Sequence, residues 1–150
     1  MESYALDAWR SPVGDGRVLR DAVTAEPVAE VARPGADSQA MLRHARGVGG
    51  PALRELTFHD RAAILKALAL HLNDRRDELY ELSLHSGATR RDAVFDVDGG
   101  IGVLFSYASR GRRELPAGNV VLDGTVEPLG KGGTFVGRHV YVPPLSLIHI

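Results

Sequence analysis

Residues 57–72 read Thr-Phe-His-Asp-Arg-Ala-Ala-Ile-Leu-Lys-Ala-Leu-Ala-Leu-His-Leu, and residues 73–87 continue Asn-Asp-Arg-Arg-Asp-Glu-Leu-Tyr-Glu-Leu-Ser-Leu-His-Ser-Gly. Leu65, Leu68, Leu72, Leu79 and Leu82 keep close to one face at helical spacing, with Arg61, Lys66, Arg75, Arg76, Asp77 and Glu78 between them. Thr57 is placed to cap the start: its hydroxyl can accept from the amide of residue 60, and Asp60 is a short-armed version of the Glu of a capping box. The whole run is longer than an ordinary globular helix of roughly 8–20 residues. Asn73-Asp74 is therefore read as a break that caps a second helix, and Gly87 closes the pair.

Outward from this pair, Thr89 opens a third helix running through Leu104, Phe105, Tyr107 and Ala108 towards Arg113. Gly99, Gly100 and Gly102 lie inside it, each costing about 1 kcal/mol against Ala. The expectation is that another backbone packs very close there, or that the segment is not helical. Upstream, Asp37-Ser38 can cap a short helix carrying Ala40, Met41, Leu42 and Ala45, ended by Gly47. The first third reads as strands: Tyr4, Leu6 and Ala8 alternate up to Trp9, and Pro12, Gly14, Asp15 and Gly16 supply a turn. Val18-Leu19 and Ala22-Val23 then form a second strand, Thr24 to Pro27 turns the chain, and Val28, Val31 and Ala32 follow. Strand patterning returns at Val120–Leu122 and again from Thr134 to Val142. Strand, helix, strand is α/β or α+β order, not that of a bundle.

The 150 residues carry 18 basic and 19 acidic side chains, a formal net charge of −1, with 44% hydrophobic residues. This is one ordinary globular domain's worth of chain, without the electrostatic footprint of a nucleic-acid binder. Cysteine is absent, which excludes a disulfide framework, a Cys-ligated metal and a thiol nucleophile from these residues. No basic region followed by an apolar run opens the chain, and no stretch reaches the roughly 20 apolar residues of a membrane span. A cytoplasmic location is expected.

Three local patterns resemble chemistry and are outweighed by plainer readings. Gly47-Val48-Gly49-Gly50-Pro51-Ala52 fits a loose dinucleotide fingerprint but follows a helix, so a loop between helices is expected. Gly130-Lys131 resembles a phosphate loop with the wrong spacing, Gly132 standing where a Ser or Thr should be; a hairpin turn is expected. Phe95-Asp96-Val97-Asp98-Gly99-Gly100 is similar to the signature of magnesium-dependent phosphatases, with Asp96 as nucleophile and Asp98 as acid/base. Here Gly100 replaces its Thr and a helix start precedes it in place of a strand. His59, His71 and His85 are too far apart for a metal clamp.

The chain resembles the aldehyde dehydrogenase superfamily, which opens with a β-ribbon, an Arg-Ala-x-Ile-Leu helix and a second Leu- and Glu-rich helix ending in Gly. The resemblance is carried by residues 51–86 and extends over about residues 2–143. Within the superfamily it is finest to the dehydrogenase part of PaaZ-type bifunctional proteins of phenylacetic acid degradation. Its markers are Asp21-Ala22-Val23-Thr24, Val48 to Arg54, Leu56-Thr57-Phe58-His59, Gly87-Ala88-Thr89-Arg90, Gly99-Gly100-Ile101-Gly102, Gly111 to Pro116 and Gly137-Arg138-His139.

The resemblance implies the N-terminal part of an α/β aldehyde-dehydrogenase fold, incomplete here, and an NADP-dependent oxidation of the CoA-linked semialdehyde made by opening an oxepin-CoA ring. It implies a Cys thiolate nucleophile, an Asn and a backbone amide for the oxyanion, and a Glu that activates water. None of these residues is assigned here: the expected sets of catalytic, cofactor-binding and metal-binding residues are all none. Residues 1–143 are read as the N-terminal segment of the dehydrogenase domain. Residues 144–150 are read as a non-native tail, because Leu145-Ser-Leu-Ile-His-Ile150 resembles a translated sequencing adapter.

The fragment is expected to be inactive and to bind no NADP tightly, and the parent to be a homo-oligomer with no nucleic-acid or membrane partner. Leu65, Leu68 and Leu79 are expected to show apolar surface, because in a whole enzyme these helices would pack on the cofactor-binding sheet. Two other readings are a self-contained oligomerisation module using the N-terminal ribbon, and the phosphatase of Asp96 and Asp98.

Overall fold

The computed structural model describes residues 2–35, 37–129, 131–132 and 135–141. Six strands and five helices follow in the order β1 (Ser3–Ala5), β2 (Ala8–Arg10), β3 (Pro12–Arg20), β4 (Pro27–Pro34), α1 (Ser38–His44), α2 (Gly50–Glu55), α3 (Phe58–Asp74), α4 (Arg76–Leu84), α5 (Arg90–Glu114), β5 (Val121–Leu129) and β6 (Phe135–Tyr141). Among the described residues the strands pair only as three antiparallel ribbons, β1 with β2, β3 with β4 and β5 with β6. A mixed helix-and-strand chain is as expected.

The helix starts follow the sequence closely. Thr57 accepts from the Asp60 amide at 3.1 Å while Asp60 accepts from the Thr57 amide at 3.0 Å, closing the capping box. Thr89 repeats the cap for α5 with Asp92, at 3.2 Å. Asp37 caps α1 through the amide of Gln39. The break between α3 and α4 falls at Arg75 (φ −112°), one residue past the expected Asn73-Asp74, and no side chain caps α4. Gly87 ends α4 at φ +86°, a left-handed value that suits glycine and closes the last turn through its amide on the Leu84 carbonyl.

Four expectations are corrected. The alternation from Tyr4 to Trp9 is not one strand: Leu6 (φ 55°) and Asp7 (φ 57°) turn the chain into a tight hairpin, steadied by an edge-on Tyr4–Trp9 contact at 5.4 Å. Gly14 to Gly16 is not a turn but an irregularity inside β3, where Gly14 at φ +82° lets the register shift between Val13 and Arg17. Ala22-Val23 is not strand: it forms the turn between β3 and β4, held by Asp21. Gly47 to Ala52 is not a loop. α1 runs through a π-helical turn (Ala45–Gly49) into α2, and Pro51 sits in the first turn of α2.

The core is a seam of small residues between helices. α3 and α5 run antiparallel, with Ala62 and Ala69 of α3 and Ala93, Ile101 and Ala108 of α5 all buried. A Cβ at Gly111 would stand 3.3 Å from that of Ala62, so the helices touch almost backbone to backbone. α4 packs on α5 through buried Tyr80, whose hydroxyl donates to Asp98 at 2.6 Å. Arg90 lies over the Tyr80 ring and pairs with Glu81 at 2.7 Å.

Around this seam the molecule is open. Its accessible surface is 11543 Å², where a compact monomer of its 16.1 kDa would show roughly 7,400 Å². Among the described residues no large side chain is fully buried. Of the three leucines expected to show apolar surface, Leu68 is exposed, whereas Leu65 and Leu79 are half-buried. The larger exposures lie elsewhere: Phe95 at 80%, Tyr107, Val103, Ile64 and Leu82.

Phe95, Gly99, Gly102, Val103 and Tyr107 follow one another at helical spacing on α5, away from the buried Ala93–Ile101–Ala108 seam. No atom comes within 4 Å of a Cβ built at Gly99, Gly100 or Gly102. The segment is thus helical without close backbone packing, contrary to both explanations expected for its glycines.

Candidate functional site

The polar groups at the α2–α3 junction meet in one cluster. Arg61 donates to the Leu53 carbonyl and Asn119 donates to that of Arg54 at 3.1 Å, so two carbonyls at the end of α2 are satisfied. The Phe58 amide donates to Gly118, and His59 Nε2 lies 3.1 Å from the Leu115 carbonyl. Asp60 carries a carboxyl held below its ordinary range, first by the Thr57 hydroxyl and then by the Thr57 amide. The carbonyls and amides named here are occupied by the fold, while Arg61 Nε is buried without a hydrogen-bond partner among the described residues. The cluster ties the segment after α5 to the start of α3.

Beside it, a groove of about 660 Å³ runs between α3 and α5. Ala63, Ala67, Leu70 and Phe105 supply an apolar lining, and Lys66, Arg112 and Arg113 supply cations. No carboxylate or cysteine lines it, and its one hydroxyl, Ser109, is hydrogen-bonded to neither His59 nor Lys66, the two lining side chains that could serve it as base. With that imidazole on the Leu115 carbonyl, the groove has no nucleophile–base pair ready for covalent catalysis. It is suited to receiving a packed segment.

The residues singled out by the sequence do not converge. Asp96 and Asp98 lie on α5, where a two-residue step turns roughly 200° about the axis, so the two carboxylates cannot share one ion. Asp98 is already taken by Tyr80, and a helix stands where the phosphatase signature needs a buried strand. The magnesium-phosphatase reading is overturned. His85 bonds Asp21, His59 bonds Leu115, and His71 lies in the last turn of α3. Among the described residues no group of three or more His, Asp or Glu side chains could hold a metal ion. Lys131 and Gly132 lie in a turn, as expected, while Gly130 and the tail residues 144–150 are outside the described residues.

A nicotinamide dinucleotide would need a glycine loop between a strand and a helix, opening amides towards its phosphates. Gly47 to Gly49 lie in the π-helical turn and Gly50 to Ala52 open α2, with the Gly50 amide donating to the Ala45 carbonyl. The described strands form only two-stranded antiparallel ribbons. These residues do not fit the cofactor. What the sequence did not signal are the His59–Leu115, Asn119–Arg54 and Tyr80–Asp98 contacts: each joins a side chain to a partner many residues away, which no local spacing encodes.

Comparison with known proteins supplies what geometry does not. The profile of the aldehyde dehydrogenase family matches residues 9–133. The chain is 40% identical over 144 residues to the 3,4-dehydroadipyl-CoA semialdehyde dehydrogenase of Aromatoleum evansii. That alignment takes in 95% of this chain and 28% of the relative, so the chain spans little more than a quarter of the relative's length. Among the described residues no helix is long and apolar enough to cross a membrane.

Proposed function

The chain belongs to the aldehyde dehydrogenase family, and from that premise we propose that it is the N-terminal stretch of an NADP-dependent dehydrogenase acting on a CoA-linked semialdehyde. The observation that carries this reading is the 40% identity, sustained over 144 residues, to an enzyme named for such a substrate. The role of these residues is architectural. The α3–α5 seam forms a rigid helical unit, and apolar surface stands on the outer side of α5 and in the α3–α5 groove.

The thiolate of aldehyde oxidation comes from elsewhere in the polypeptide, since these 150 residues contain no Cys, and the oxyanion donors and water-activating carboxylate go with it. The chain alone is therefore inactive. Residues 1–143 are the dehydrogenase segment and residues 144–150 are foreign to it. The enzyme works in the cytoplasm as a homo-oligomer, and the described ribbons, with valines such as Val126, Val136 and Val140 exposed, offer strands for that assembly.

Two CoA semialdehydes compete as substrate: the 3,4-dehydroadipyl compound of the relative's name, and the oxepin-derived 3-oxo-5,6-dehydrosuberyl compound of phenylacetate degradation. The longer polypeptide, purified and assayed with each, with a free aliphatic aldehyde, and with NADP or NAD, tests the reading. A kcat/KM at least tenfold higher for a CoA semialdehyde than for the free aldehyde is expected, with NADP preferred. Equal rates on free aldehydes would overturn the CoA assignment.

A further inference from the structure

Asp21, just past β3, has both carboxylate oxygens in use. Oδ1 accepts from the amides of Val23 and Thr24, each at 2.8 Å, and so shapes the turn that leads to β4. Oδ2 lies 2.8 Å from Nδ1 of His85 at the end of α4, 64 residues away in sequence. An ionised carboxylate only accepts, so Nδ1 is the donor. Alongside, the Ala22 amide donates to the His85 carbonyl at 2.9 Å, and a Cβ at Gly87 would meet that of Ala22 at 3.4 Å. One side chain thus serves the turn and its seat on the helices.

The turn also holds Ala25 at φ 60°, a left-handed conformation that L-residues disfavour. Arg20 supports it by donating to the Ala25 carbonyl at 2.9 Å. Such a turn has little stability to spare, and the contact with His85 is where support from the rest of the molecule enters.

We propose that Asp21 is a latch that makes folding of the 21–26 turn and seating of the β3–β4 ribbon on α4 a single step, so that the two are made or lost together. Of the other charged groups near the junction, on the ribbon side Arg20 donates to the Ala25 carbonyl and the Glu26 carboxylate has no hydrogen bond or ion pair among the described residues. On the helix side Glu81 and Arg90 pair with each other. The amides of Thr24 and Val23, with His85, hold the Asp21 carboxyl far below the usual carboxylate range. The charged form is favoured by folding, so its contribution is present above the ordinary carboxylate value of 3.8 and is lost only as pH falls towards the depressed one. The latch stays closed in mild acid.

Amide hydrogen exchange at Ala22, Val23 and Thr24 in the full chain tests this, with the Ile101 amide as the reporter of global unfolding. His85→Ala should raise exchange at all three by at least threefold, with Ile101 unchanged. His85→Asn, whose amide can take the place of Nδ1, should restore at least half of the protection. Faster exchange at Ala22 with Val23 and Thr24 unchanged would overturn the proposal, because turn and seat would then be independent. Should His85→Ala also loosen Ile101, Asp21→Asn decides: joint loss at Ala22, Val23 and Thr24 is expected, and loss at Val23 and Thr24 with Ala22 still protected would contradict it.

Discussion

Thr57 and Asp60 show how much a short motif can fix. The hydroxyl and carboxylate exchange bonds with each other's amides at 3.1 and 3.0 Å, and α3 begins where they place it. Thr57→Ala should cost about 1 kcal/mol, read as a lower urea midpoint with unchanged slope. Because the Asp60 carboxyl is held below its ordinary value, its contribution is present above pH 3.8 and lost as pH falls through the folded value. Tyr80 behaves oppositely. Its phenol is pushed above 10.0, first by the hydrogen bond to Asp98 and then by burial. Its contribution is complete below pH 10 and lost as pH rises through the folded value. In an ultraviolet titration one of the four tyrosines should ionise after the others, and Tyr80→Phe should remove that late step. If all tyrosines ionised together, the bond would not persist in solution.

At the scale of elements, α5 is buried along its inner seam and exposed on its outer face. Its inner seam is built mostly of small residues, and Ala69 of α3, the helix packed on it, is fully buried. Ala69→Leu should destabilise by about 1–3 kcal/mol. Gly102, exposed with open space where a Cβ would go, should respond in the opposite sense. Gly102→Ala should stabilise this chain by about 0.5–1 kcal/mol in a urea melt, and the gain should disappear in the longer polypeptide if another element packs on that face.

Capped, strongly periodic helices were legible from sequence, because Thr57, Thr89, Asp37 and Gly87 act through bonds to near neighbours. Glycine and proline misled. Gly14 and Pro51 announce a backbone freedom or a missing donor without saying whether a turn, a bulge or a π-turn will use it. Nor does any local rule foresee Leu6 in a left-handed turn. At the candidate site, Asp98, His59 and His85 are held by partners 18, 56 and 64 residues away, which no local spacing encodes.

At the scale of the whole molecule, the accessible surface exceeds that of a compact monomer and, among the described residues, no large side chain is fully buried, which leaves an open scaffold. Strong binding of an apolar dye and concentration-dependent association are expected of the isolated chain. A monomer with no dye binding and a sharp cooperative melt would contradict an open scaffold. The central claim, that this segment shapes a dehydrogenase without performing its chemistry, is tested by one rate measurement. The isolated chain and the longer polypeptide are each given a CoA semialdehyde with NADP, and reduced nicotinamide is followed by absorbance. Turnover by the longer polypeptide, with none above the protein-free rate for the isolated chain, is the predicted result. Turnover by these 150 residues alone would contradict it.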